Sequence, residues 1–289
     1  MSIDLYDVER LARTAVDLGH YNVAKLLHAA GASIVNRRLY GENLPKTDAD
    51  FRAALDALVP ALQAEGLDPD VLAVLRLAGD ALVERGMVTY RDVPPLLVCR
   101  VCGEAVRGHA PEYCPTCGAG ETAFQDFPVI YYLEPESVPI LLGELAQTPG
   151  WLDRVLADLT TEQAAQKVGG AEGEWSLMEA AGHLLGAQKL LARRVQLFLA
   201  SDLPDLAAQS PQDVRDEGER TPGQMAEAFR AARTSLLAQL RTVSPALWLR
   251  VGRHSEFGPM TLQQQATYFA KHEQWHMAQM TRIRKTILG

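Results

Sequence analysis

Cysteine is scarce in this 289-residue chain, and all four copies fall between positions 99 and 117. No disulfide framework therefore spans the sequence, and a chain of this length buries a core without such staples. Aromatic residues make up only 7%. No apolar run approaches the length of a bilayer span, which excludes a membrane-crossing helix and leaves no membrane partner expected. The N-terminus has no signal-peptide pattern, so a cytoplasmic protein with reduced thiols is expected. Basic charge is also short: 28 Lys and Arg against 36 Asp and Glu give a net charge of −8. A nucleic-acid partner needs a concentrated basic face, and the basic group Arg282, Arg284 and Lys285 fits a helix C-terminus instead. The Gly-x-Ser-x-Gly elbow is missing, which excludes a serine-hydrolase layout of that kind. Apolar content of 47% is ordinary for a globular protein, and the length predicts two or three domains.

The cysteines themselves are arranged as Cys99-x-x-Cys102 and Cys114-x-x-Cys117 with eleven residues between the pairs. Two short loops that each offer two thiolates supply the four soft, tetrahedral ligands that zinc or a single iron prefers. Gly103 and Gly118 follow the second cysteine of each pair, where a tight turn aims amide hydrogens at sulfur, and Pro115 stiffens the second loop. His109 lies between the pairs, but four thiolates fill a tetrahedron, so it reads as a surface residue. Residues Val98 to Phe127 resemble the rubredoxin-like module of rubrerythrins. The matching segments are Cys99-Arg-Val-Cys102-Gly-Glu, Ala110-Pro-Glu-Tyr-Cys114-Pro-Thr-Cys117-Gly-Ala, and Phe124. The resemblance implies an iron centre for one-electron transfer, or zinc in a structural descendant. Rubrerythrins also carry paired Glu-x-x-His repeats for a di-iron bundle. This chain has the single match Glu273-x-x-His276, so peroxidase activity is not implied.

Helical patterns flank the cysteine module. Residues 7–30 predict one amphipathic helix; a second starts after Thr47 as N-cap, with Pro60 as a kink and Gly66 as its end; a third runs from Asp68-Pro69 to Gly86. These make a helical domain over 1–92, followed by the ribbon over 93–130 and a bundle over 131–289. His20 and His28 have no partner motif and read as packing or surface residues. The helical domain names no reaction and suits docking, dimerisation or scaffolding; attached to a module whose relatives commonly act in dimers, it suggests a homodimer.

Four helices are predicted in the last region: 138–159 with a kink at Pro149-Gly150, Ser176 to about Leu199, Thr221 to about Val243, and Thr261 to Ile287. Ser176 with Glu179, Thr221 with Gln224 and Thr261 with Gln264 are capping-box starts before long amphipathic runs. A four-helix bundle follows, with the 201–220 connector crossing its end. His272 and His276 lie one turn apart on one face of the last helix, and His183, beside Ala180, Leu184 and Ala187, is the best third donor. By spacing alone these are either three helical histidines or a metal site.

The segment Gly173-Glu-Trp175-Ser176-Leu-Met-Glu179-Ala-Ala-Gly-His183-Leu resembles the first half of the DinB-like motif. His254-Ser-Glu-Phe257-Gly258-Pro-Met-Thr261-Leu with His272-Glu-Gln-Trp-His276-Met-Ala-Gln279 resembles the second. The resemblance implies a metal held by His183, His272 and His276, either nickel, zinc or iron, with water or substrate completing the shell. The expected fold is mainly α: a small N-terminal helical domain, a rubredoxin-like four-cysteine ribbon and a C-terminal DinB-like four-helix bundle.

Glu179 and His254 are the candidate catalytic groups. Glu179 is one turn before His183, though it is also the capping partner of Ser176, and His254 is either at the site mouth or in a turn. Trp175 reads as packing at the entry to its helix or as a substrate contact, Gln279 as a hydrogen-bond partner to the site, and Arg193 and Arg194 as solvated surface or as groups that meet an acidic substrate. The resemblance implies a metal-dependent transferase or hydrolase that uses a low-molecular-weight thiol on an electrophilic substrate, or activated water. The alternatives are a redox or metal-sensing protein with an iron ribbon and a redox partner, or a scaffold without turnover. No cysteine remains free as a protein nucleophile.

Overall fold

The computed structural model describes residues 4–40, 42, 44–45, 47–86, 88–89, 91–129, 134–168, 175–209, 211–216 and 218–289. The chain divides into two compact units, Met1–Pro60 and Ala61–Gly289.

In the first unit the predicted single helix over 7–30 is two. Helices α1 (Leu5–Asp17) and α2 (Tyr21–Leu39) are separated at Gly19, whose φ of +78° belongs to the left-handed region. The Gly19 amide bonds Val16 O and the His20 amide bonds Ala15 O, so the last carbonyls of α1 are capped and the helix stops. The two helices meet along Ala12, Ala15, Ala24 and Gly31, small residues that let backbones approach. His28 reaches Glu9 across this seam at 3.3 Å. Helix α3 (Asp48–Ala64) starts as predicted, with the Asp50 amide donating to Thr47 Oγ1, and carries Pro60 internally.

In the second unit α4 (Pro69–Arg85) begins at the Asp68 cap and ends at Gly86, φ +71°. Strands β1 (Leu96–Cys99), β2 (Ala105–Arg107) and β3 (Phe124–Phe127) form an antiparallel sheet in the order β2-β1-β3. Leu96 is in register with both Arg107 and Phe127. Arg107 pairs with Asp70 of α4 at 3.4 Å.

The bundle consists of α5 (Val138–Leu156), α7 (Leu177–Ala200), α9 (Pro222–Leu240) and α11 (Leu262–Leu288), with one-turn helices α6 (Thr161–Ala165), α8 (Pro211–Val214) and α10 (Pro245–Trp248) between them. Helix α5 ends earlier than expected because Asp158 takes a left-handed φ of +59°. All three expected capping boxes are present, at Ser176/Glu179, Thr221/Gln224 and Thr261/Gln264. Strand β4 (Asp205–Leu206) pairs parallel to β5 (Val251–His254), and β5 pairs antiparallel to β6 (Gly258–Thr261).

Hydrogen bonds fix the helix directions. Near one end Glu136 meets Thr267 and near the other Arg284 meets the Val155 carbonyl, so α5 and α11 run parallel. Asp153 faces Arg230 while Arg233 bonds the Leu145 carbonyl, so α9 opposes α5. Gln188 bonds the Phe229 carbonyl, and Leu177 and Leu184 share one apolar cluster with Met225 and Phe229, which aligns α7 with α9. The order is up-down-down-up. Two parallel consecutive helices require the connector 201–220 to return along the bundle. It does so against Gly182 and Gly186 of α7: the Asp216 amide bonds the Gly182 carbonyl, and a Cβ at Gly186 would sit 1.3 Å from the Val214 carbonyl oxygen.

Candidate metal centres

In the ribbon, Gly103 (φ +86°) and Gly118 (φ +75°) complete two matching knuckles, their amides bonding the Cys99 and Cys114 carbonyls at 2.9 Å. The sulfurs of Cys99 and Cys117 are 3.8 Å apart and those of Cys102 and Cys114 are 3.6 Å apart, with all four within 4.8 Å. Metal–sulfur bonds of about 2.3 Å in a tetrahedron imply sulfur separations of about 3.8 Å, so the set fits one ion. The backbone amide of Cys102 draws the Cys99 thiol down to about 7 against the effect of burial. Cys102 is pushed up to about 12: the Glu104 amide favours its thiolate, but burial and the sulfurs of Cys117, Cys114 and Cys99 outweigh it. Four such sulfurs ionise together only beside a compensating cation.

The second cluster joins two helices far apart in sequence. His183 Nε2 of α7 lies 3.0 Å from His272 Nε2 of α11, which lies 3.1 Å from His276 Nε2 one turn later. Bonds of about 2.0–2.1 Å to imidazole nitrogens place neighbouring ligands about 3.0–3.4 Å apart, so the three rings also fit a single ion. Burial, then the neighbouring rings of His276 and His183, holds His272 down at about 3. Burial also lowers His276, against the favourable bond from Gln279. Both rings are neutral at pH 7 and offer lone pairs. Gln279 Oε1 lies 2.8 Å from His276 Nδ1, which keeps the proton there and the lone pair on Nε2. The expected hydrogen bond from Gln279 is thus made, to His276.

Two aromatic rings wall this cluster. Trp175 stacks on His276, with centroids 5.7 Å apart and planes 4° from parallel, and lies 4.8 Å from His183. Tyr268 stacks on His272 at 6.1 Å and 10°. The packing role expected for Trp175 therefore falls on the site itself. Gly173 and Glu174, earlier in the same motif, lie outside the described residues.

Glu273, between the two histidines of α11, faces the other way, where it is 2% exposed. It pairs with Arg233 of α9 and accepts from Thr148 Oγ1 of α5 at 2.7 Å, while Arg233 also bonds Gln188 of α7. Four helices each contribute to this layer, which lies between two apolar clusters, one with Leu145, Leu236 and Phe269 and one with Leu152, Leu184 and Phe229. A pair so deeply desolvated tolerates no loss of a partner, so it fixes how α11 is rotated. With Glu273 held inward, His272 and His276 are turned toward His183.

Residues 144–280 match the DinB superfamily. The match covers just under half of the chain and includes all three histidines. The solved structure of YfiT from Bacillus subtilis, described as a probable metal-dependent hydrolase with an unusual four-helix bundle topology, is similar at 16% identity and a TM-score of 0.45, over 62% of this chain and 94% of that one. Comparison with curated proteins finds no match.

Within the DinB-like domain the other expected groups have specific places. Glu179 Oε2 accepts the Ser176 amide at 2.8 Å, and Oε1 pairs with Arg215 and Lys167 at 3.2 and 3.3 Å. Although burial alone would raise it, these donors hold its carboxyl below the usual range. Glu179 is an anchor for the helix start and the returning connector. His254 is buried on β5, stacked on Phe257 at 4.4 Å, with Nδ1 accepting the Glu256 and Phe257 amides and Nε2 3.1 Å from Arg194 Nη2. It reaches the histidine cluster through Phe257 and Tyr268. Arg193 is exposed as expected, but Arg194 is a correction: it is 5% exposed and bonded to Gln265, to the Ala207 carbonyl and to His254. The helical turn between adjacent arginines sends one to solvent and the other beneath the connector. His109 is exposed on the ribbon, as expected.

Among the described residues no helix is long and apolar enough to cross a membrane.

Proposed function

We propose that the bundle holds a divalent metal on His183, His272 and His276 and uses it for hydrolysis or thiol-dependent transfer, while the ribbon holds zinc or iron as a structural clip. The observation that carries this reading is the donor set: three imidazoles converge at 3.0–3.1 Å, and Glu273, the carboxylate next to two of them in sequence, is paired elsewhere. An ion there keeps its full positive charge and favours an anionic further ligand. Nickel, zinc or iron suits such a set, and its Lewis acidity would favour an oxygen or sulfur nucleophile at neutral pH. The chain's own residues do the rest. Gln279 sets the tautomer of His276, Glu273 sets the rotation of α11, and Trp175 and Tyr268 limit the directions from which a substrate approaches and shield it from water.

The test is titration of a low-molecular-weight thiol into cobalt-loaded protein, alongside a His183→Ala variant. A thiol-induced spectral change and thiol-dependent consumption of an electrophile, both lost in the variant, support transfer. Hydrolysis of an activated ester that needs His183 but no thiol supports the hydrolytic branch. The redox reading draws on the four sulfurs, which accept iron as readily as zinc. Under it the ribbon is red as isolated and bleaches reversibly, with no thiol response at the bundle.

A further inference from the structure

Two arginines are buried in the bundle, and they are treated differently. Arg233 is ion-paired to Glu273. Arg194 makes no ion pair among the described residues: its partners are the Gln265 Oε1, the Ala207 carbonyl and His254 Nε2. Glu256 and Tyr268 are close enough to feel its charge, and Arg193 on its own helix opposes it. Phe269 lies under the guanidinium at 5.8 Å. A buried cation with only neutral partners carries a desolvation cost that an anion would offset.

The neighbours of Arg194 also lack acceptors. Gln265 is fully buried, its oxygen is taken by Arg194, and its Nε2 has no partner among the described residues. His254 faces amide hydrogens at Nδ1 and a guanidinium hydrogen at Nε2. Whichever nitrogen carries the ring proton, one donor faces another. Three side chains from α7, β5 and α11 thus converge with surplus hydrogens and one positive charge.

We propose that Arg194, Gln265 and His254 form a carboxylate-binding subsite for the molecule that reacts at the histidine cluster. This rests on the function proposed above. Gln265 is seven residues before His272, two turns along the same face of α11, which separates the levels by about 10 Å. Between them the rings of Phe257 and Tyr268 form a continuous wall from His254 to His272. The ligand therefore presents its acid about two helical turns from its reacting group. A single guanidinium with neutral donors balances one carboxylate, whereas a phosphate dianion would leave charge over. The acid belongs either to the thiol or to the electrophile.

The experiment uses full-length protein loaded with cobalt. Hexanoate, a monocarboxylate, is titrated by calorimetry, and a long-chain ω-mercaptocarboxylate is compared with the mercaptoalcohol of equal length through the cobalt spectrum. Hexanoate should bind wild type and lose about tenfold or more in Arg194→Met, with both metals retained. If Arg194→Met does not fold, Gln265→Met, which keeps the cation, should show a smaller loss. A preference for the acid thiol that vanishes in the variant assigns the carboxylate to the thiol. Equal binding of the two thiols, with hexanoate still dependent on Arg194, assigns it to the electrophile. Thiols that leave the spectrum unchanged while hexanoate still needs Arg194 remove the thiol reading and keep the subsite. Absence of hexanoate binding, or binding indifferent to both variants in folded, metal-loaded protein, overturns the subsite.

Discussion

The ribbon and the bundle centre both gather metal-ligating side chains, yet they reach that end by opposite routes. The ribbon brings four thiols together from two adjacent turns within nineteen residues, each turn closed by a glycine amide. The bundle brings three imidazoles together from helices nearly ninety residues apart, with no acid among them. A site that is local and closed by four protein ligands is a folding device. One that is assembled by tertiary structure from three ligands, with a position open and its ion's positive charge uncompensated, is suited to binding something further.

The largest expected effect breaks the ribbon alone. Replacing Cys114 with Ser should remove metal-linked folding free energy on the order of 10 kcal/mol from the ribbon and make residues 98–127 the first site of limited proteolysis. The bundle should retain its helicity. A variant as resistant as wild type over this segment means that the ion does not hold it together.

Next in size is the bundle's buried pair. Glu273→Ala leaves Arg233 desolvated without a partner and should cost about 3–5 kcal/mol in denaturant unfolding of the bundle, with the ribbon's protease resistance unchanged. A loss under about 1 kcal/mol is what a surface ion pair would give and contradicts the clamp.

Acid should also distinguish the regions. Burial, with the Arg194 charge second, lowers His254 from 6.5 to about 4. The unfolded chain therefore binds more protons between these values, so this contribution is fully present above about pH 6.5 and lost as pH falls toward 4. It amounts to about 3 kcal/mol. Between pH 7.5 and 4.5, the unfolding free energy from urea titration should fall by about 2.5 kcal/mol less in His254→Gln than in wild type. Equal acid sensitivity of the two proteins rules out a neutral buried His254.

The smallest effect lies in the hydrogen bond to His276. Gln279→Ala frees its tautomer and should weaken bundle metal affinity about tenfold in a chelator competition, leaving the ribbon's metal untouched. An unchanged affinity means that the tautomer is set elsewhere.

The same contrast governs what the sequence discloses. The ribbon is local, so its ligands and turn glycines are readable from spacing, as are the three capping boxes that begin α7, α9 and α11. His183 is only weakly tied to His272 and His276 by pattern, because nothing along the chain encodes a contact over that separation; the motif resemblance supplies the link. Burial of Arg194 beside exposed Arg193 depends on where the returning connector lies, and the path of a connector between parallel helices has no local signature. Glu273 reads as one more polar residue among Lys271 and His272 until the opposing Arg233 is known. The break at Gly19 was signalled by the glycine itself, but the apolar periodicity continues across it. Strands β4 to β6 are too short for an alternating pattern to register.

The central claim is that two metals occupy separable sites, and elemental analysis of wild type beside His272→Ala/His276→Ala tests it most directly. The account predicts about two ions per wild-type chain and about one in the variant, with the cysteine-bound ion retained and residues 98–127 still protease-resistant. Two ions in the variant, or loss of the cysteine-bound ion with the other kept, would contradict it.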